Sequence, residues 1–155
     1  MNVVEIIFSP TGGTEKVAHI IGGHWSKNTV KIDLCDSKID FTSCNIAKDD
    51  MVLIAMPSFG GRAPSVVIDR LNQIVDKDGG AVSIPGNRPY KKSGGAGLVP
   101  KPNKDCIRCG LCAERCPVQA INQTDFRTDS KKCISCMRCV KQCRANARKE
   151  NELFL

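Results

Sequence analysis

Short apolar runs divided by glycine- and proline-bearing turns mark the first half of the chain as alternating strand and helix. Met1 to Phe8 is an apolar run that ends at Ser9, Pro10, Thr11, Gly12 and Gly13, which predicts a buried strand and a tight turn. Val17, Ala18, Ile20 and Ile21 follow at helical spacing and predict a helix from Thr14 to about Trp25, with Trp25 packed at its end. Thr29 to Leu34 alternates apolar and polar positions as a second strand. Met51 to Met56 has the unbroken apolar character of a central third strand. Pro64, backed by Val66, Val67, Leu71 and Ile74, predicts a helix reaching about Val75. Gly80 to Ile84 fits a fourth strand. Lys91 to Lys104, with Gly94, Gly95, Gly97, Pro100 and Pro102, reads as a linker without a strand or long helix of its own.

Beyond the linker, cysteine replaces periodicity as the main signal. Cys106, Cys109, Cys112 and Cys116 form one C-x-x-C-x-x-C-x-x-x-C run, and Cys133, Cys136, Cys139 and Cys143 form another. The second repeats the first 27 residues later, matching Ile107 to Ile134 and Ala120 to Ala147. Thiolates at consecutive two-residue gaps let a short loop curl around the corner of an iron-sulfur cubane, while the fourth cysteine reaches elsewhere. Zinc closes with four ligands and leaves each third cysteine without a role. Disulfides need an oxidising compartment, and no secretory leader precedes the first strand. The remaining Cys35 and Cys44 read as buried or neutral thiols with no ligand role.

At every ligand position the segment resembles the two-cluster bacterial ferredoxins. That resemblance implies one 4Fe-4S cluster on Cys106, Cys109, Cys112 and Cys143, and a second on Cys133, Cys136, Cys139 and Cys116. The first run keeps Pro117 after its last cysteine, whereas the second has Arg144 there. A cation beside the cluster bound through Cys143 is expected to raise its potential.

The turn after the first strand has the chemistry of an anion site. Gly12 and Gly13 stand just before a helix N-terminus, and Ser9, Thr11 and Thr14 add hydroxyl donors. The Walker and dinucleotide glycine spacings are both absent. The stretch from Ser9 to Ala18 resembles the flavin-phosphate loop of flavodoxins, whose doubly wound sheet binds the mononucleotide at its switch point. The resemblance implies further FMN contacts from Pro57, Ser58, Phe59, Gly60 and Gly61 after the third strand. It also implies contacts from Asn87, Arg88 and Tyr90 after the fourth, with Phe59 and Tyr90 as stacking residues.

Together these stretches resemble the flavodoxin-ferredoxin fusion family. The expected fold is α/β: a shortened flavodoxin-like parallel sheet of order 2-1-3-4 over residues 1–92, a linker over 93–104, and a small α+β two-cluster ferredoxin domain over 105–150. A full flavodoxin unit continues with two helices and a fifth strand that find no room here. An apolar face is therefore expected to need covering by the ferredoxin unit or by a second copy in a homodimer.

The formal charge is +7 and divides unevenly. Residues 1–100 carry 11 basic and 10 acidic side chains, against 12 and 6 for residues 101–155. Two oxidised clusters with their thiolates contribute about −4, leaving the second part near +2. Arg108, Arg115, Arg138 and Lys141 suit an acidic redox partner protein. No aromatic platform accompanies the charges, which disfavours nucleic acid, and no apolar run is long enough to span a membrane, so a cytoplasmic location is expected. His19 and His24 have no third metal ligand nearby, Asp49 and Asp50 suit a turn, and no nucleophile stands with a base. The function implied is intracellular electron transfer. The alternatives are a ferredoxin on a flavin-free docking scaffold and a flavin-dependent reductase with its own substrate.

Overall fold

A computed structural model describes residues 2–59, 61–76 and 98–149, and the chain divides into two compact units, Met1–Lys92 and Ser93–Leu155. In the first unit, β1 (Val3–Ile7) is buried along its whole length. It pairs in parallel with β2 (Thr29–Asp33) on one side and with β4 (Met51–Ala55) on the other, giving the order β2-β1-β4. Both faces of β1 are buried, so its burial shows no alternation, and apart from Glu5 its residues are apolar. As the edge strand, β2 buries Ile32 and leaves Thr29, Val30 and Lys31 exposed.

Helix α1 (Gly13–Trp25) lies against β1 and β4 and buries only Ala18 and Gly22. Contact through small residues brings the helix close to the sheet. At Gly22 a side chain would collide with Glu5 Oε1, with Glu5 Cδ only 3.2 Å away. Val17, Ile20 and Trp25 then point outward, so Trp25 does not pack at the helix end as expected.

A 3-10 turn (Phe41–Ser43) and β3 (Asn45–Ile46) lead into β4. Helix α2 (Ser65–Leu71) buries Val67, Ile68 and Leu71. It ends at Leu71 rather than near Val75, because β5 (Val75–Asp76) is drawn into a parallel pair with β3. From α2, Arg70 Nη1 donates to the Leu34 carbonyl, and its guanidinium lies 5.4 Å from the centre of the Phe41 ring. The first three expected strands thus stand in the expected order, while Gly80 to Ile84 lies outside the described residues.

The second unit contains β6 (Lys101–Pro102), α3 (Leu111–Glu114), α4 (Arg138–Lys141) and β7 (Arg148–Lys149), with β6 and β7 antiparallel. Strand β6 falls inside the stretch expected to be linker. Its neighbours are built in as well: Ser135 Oγ donates to the Leu98 carbonyl at 2.8 Å, and Thr128 Oγ1 to that of Pro100 at 2.7 Å. Ala113, Cys116, Ala120, Ile121 and Phe126 form a small core, and little apolar material is available to a unit of this size.

Candidate functional site

The two halves of the second unit repeat in backbone as well as in sequence. Among the described residues of this unit, six of the seven positive φ angles fall in pairs 27 residues apart: Arg108 (54°) and Ser135 (54°), Gly110 (76°) and Met137 (57°), Gln119 (49°) and Asn146 (48°), with Phe126 (59°) the exception. Left-handed residues set among right-handed ones turn successive peptide N–H groups toward one side, the arrangement that accommodates anions. The hydrogen bonds repeat too. Ala120 N donates to Cys116 Sγ at 3.3 Å and Ala147 N to Cys143 Sγ at 3.2 Å, and Ser135 N reaches Cys133 Sγ at 3.4 Å.

Eight cysteines line two cavities. One is bordered by Cys133, Cys136 and Cys139 from the second run and by Cys116 from the first. The other is bordered by Cys106, Cys109 and Cys112 together with Cys143. All ten cysteines of the chain are free of disulfides. Among the described residues no three His, Cys, Asp or Glu side chains converge tightly enough for a single metal ion. In each cavity three cysteines of one run stand with the fourth of the other, the donor set that a four-thiolate iron-sulfur cluster requires.

The walls of the first cavity are apolar, with Pro100, Pro117, Val118, Ile121 and Ile134 among them. Burial pushes the Cys139 thiol up to about 11, opposed by the positive charge of Arg148, and burial raises Cys136 as well. Protons must therefore leave these thiols as a metal cluster enters.

Arg148 is a residue that the cysteine spacing does not reveal. It lines the cavity of Cys106, Cys109, Cys112 and Cys143 and is only 2 % exposed. Its Nη1 donates to the Pro100 carbonyl at 3.0 Å and to Thr128 Oγ1 at 2.9 Å, and its Nη2 to the Phe126 carbonyl. Comparing the two halves would have found it, because the equivalent residue 27 positions earlier is the buried, apolar Ile121. Arg144, in the place of the second proline, is exposed.

In the first unit, parallel pairing brings the ends of β1 and β4 side by side, with Phe8 N donating to the Ala55 carbonyl at 2.9 Å. The loops carrying Ser9, Thr11, Gly12, Gly13 and Thr14 and carrying Pro57, Ser58, Phe59 and Gly61 thus leave the same edge. Ser9 is buried, and its Oγ accepts from Glu15 N at 3.0 Å. Gly12 is left-handed at φ 89°, which explains the glycine there; Gly13 has an ordinary φ and open space where a Cβ would stand. Phe59 packs edge-on against Phe8 at 6.5 Å and closes a turn by exchanging backbone hydrogen bonds with Arg62. Gly60, Asn87, Arg88 and Tyr90 lie outside the described residues.

Residues 99–149 match the family model of the 4Fe-4S dicluster domain. With the cysteine-lined cavities, this match defines the second unit as a 4Fe-4S cluster-binding domain of the ferredoxin type, and the chain as an iron-sulfur protein suited to electron transfer. No curated protein matches the chain. Among the described residues no helix is long and apolar enough to cross a membrane.

Proposed function

We propose that the chain is an electron carrier with two 4Fe-4S clusters, one held by Cys106, Cys109, Cys112 and Cys143, the other by Cys116, Cys133, Cys136 and Cys139. FMN binds at the loops after β1 and β4. The observation that carries the cluster half is the crossed lining of the two cavities, in which three cysteines of one run meet the fourth of the other. When bound, the clusters supply one-electron transfer and the flavin transfer of one or two electrons.

The chain's own residues hold and insulate these groups. Ala113, Ala120, Ile121 and Phe126 exclude water from the space beside Cys116. The amides of Ala120, Ser135 and Ala147 place positive dipoles on cysteine sulfur, a contact that stabilises the more negative, reduced state. Arg108, Arg115 and Lys141 are exposed and give an acidic redox protein a cationic surface to approach.

Support for FMN comes from the first unit's loops and from the flavodoxin resemblance. The order β2-β1-β4 agrees with the first three strands of the doubly wound 2-1-3-4-5 sheet, whose mononucleotide site lies between the first and third. The open space beside Gly13, at the start of a 13-residue helix, suits close approach of a phosphate.

Anaerobic purification followed by iron, sulfide and flavin analysis tests both halves. About eight irons per chain with one FMN is the expected result. Eight irons without flavin keeps the carrier and makes the first unit a docking scaffold. Zinc in place of iron and sulfide overturns the reading.

A further inference from the structure

The one charged side chain buried in the second unit, among the described residues, is a cation without a carboxylate partner. Arg148 donates to two carbonyls and one hydroxyl, all neutral, and its buried Nε has no hydrogen-bond partner. A guanidinium withdrawn from water among neutral acceptors is costly unless an opposite charge lies close. No carboxylate forms an ion pair with it among the described residues, yet it lines the cavity of Cys106, Cys109, Cys112 and Cys143.

We propose that Arg148 is a built-in counter-cation for the iron-sulfur centres and a potential-setting residue, raising the midpoint of the centre on Cys106, Cys109, Cys112 and Cys143 most. This rests on the cluster-binding reading above. A 4Fe-4S centre with four thiolates is an anion, and reduction makes it more negative by one charge, so a fixed cation in a poorly hydrated setting favours the reduced form. Both centres feel the charge, because it also acts on Cys139 in the other cavity; the larger effect is assigned to the centre on Cys106, Cys109, Cys112 and Cys143 because Arg148 lines that cavity and not the other. A second task follows from the hydrogen bonds. By tying Pro100, Phe126 and Thr128 together, the planar fork closes the strand β6 onto the cysteine-bearing loops, a geometry that a lysine ammonium cannot reproduce.

The test is a redox titration of the full chain, purified anaerobically, with the two centres followed by electron paramagnetic resonance and iron and sulfide counted in every sample. In Arg148→Met with wild-type iron content, the reduction equilibrium constant of the nearer centre should fall about tenfold, a shift of about 59 mV to more negative potential. The farther centre should move the same way by less, and Arg148→Lys should restore most of the shift. Full iron content with unmoved midpoints in Arg148→Met overturns the proposal and leaves the cluster reading standing. If Arg148→Met loses its clusters, Arg148→Lys decides. Wild-type midpoints there support the charge role, whereas a tenfold displacement or renewed cluster loss reduces Arg148 to a loop tie and overturns it. Absence of iron from the wild-type protein sinks the cluster reading itself.

Discussion

Ala147 donates its backbone N–H to Cys143 Sγ at 3.2 Å, so this cysteine is fixed to the backbone of its own half. Its side chain nevertheless borders the cavity of Cys106, Cys109 and Cys112. Cys116, held by Ala120 at 3.3 Å, is placed in the same way against Cys133, Cys136 and Cys139.

That crossing makes an asymmetric prediction for single substitutions. Cys116→Ala should perturb the centre on Cys133, Cys136 and Cys139, and Cys143→Ala the centre on Cys106, Cys109 and Cys112. Each variant should lose one centre's resonance first, with iron falling from about eight toward about four per chain. Loss of the centre in the same run as the substituted cysteine would refute crossed ligation.

Gly110 and Met137 hold equivalent left-handed positions, at φ 76° and 57°, at the start of α3 and α4. Only one is a glycine. A left-handed conformation costs an ordinary residue about 1–2 kcal/mol, whereas glycine loses about 0.5–1 kcal/mol of unfolded-state freedom. Gly110→Ala should therefore destabilise the loaded protein by about 1 kcal/mol, although a Cβ meets nothing within 4 Å. Met137→Gly relieves backbone strain but removes a half-buried side chain from a cavity wall, so its net change should stay within about 1 kcal/mol of zero. Urea unfolding of the two variants compares them directly; equal losses would show that the backbone angle is not what distinguishes the sites.

How much of this was legible in sequence differs by element. The cysteine spacing and the apolar runs of β1 and β4 are local signals, and the structure keeps them where the pattern puts them. Strand β6 was hidden because two residues including Pro102, beside a glycine-rich stretch, carry linker composition, and only pairing with Arg148 and Lys149 makes them a strand. Helix α2 stops short of Val75 for a similar reason, since the pairing partner Asn45 is 30 positions away in the chain. Arg148 was invisible to a search for ligands, and becomes visible when the halves are overlaid on Ile121. The expected contacts at Asn87, Arg88 and Tyr90 lie outside the described residues.

The contact between Gly22 and Glu5 gives a stability test remote from the clusters. Glu5 is buried in the central strand, where His19 Nδ1 comes within 2.6 Å of its Oε2, and the helix passes over it at Gly22. Gly22→Ala should destabilise the first unit by about 1–3 kcal/mol through overpacking, despite alanine's better helix propensity. In a double-mutant cycle, Glu5→Ala should abolish most of that penalty, because the colliding carboxylate is gone. Additive losses in thermal or urea unfolding would remove the steric explanation.

Lys31 Nζ lies 2.7 Å from Glu15 Oε1 and joins the edge strand β2 to the first turn of α1. Its hydrogen bond holds the Glu15 carboxyl below its ordinary 4.5, and the same bond raises Lys31 above its ordinary 10.5. The acid's contribution is complete above its ordinary value and lost as pH falls through the lowered one. The base's contribution is complete below its ordinary value and lost as pH rises through the raised one. Between those limits both are present, but with side-chain exposures of 32 % and 41 % solvent screening keeps the pair under about 1 kcal/mol. Lys31→Met should thus cost a few tenths of a kcal/mol at pH 7 in low salt, less at high salt, and nothing once Glu15 is protonated in acid. Urea unfolding of the first unit's signal along a pH series descending from about 7 provides the comparison, and a penalty that never declines toward the acid end would mean that Lys31 acts through packing of its aliphatic stem instead of its charge.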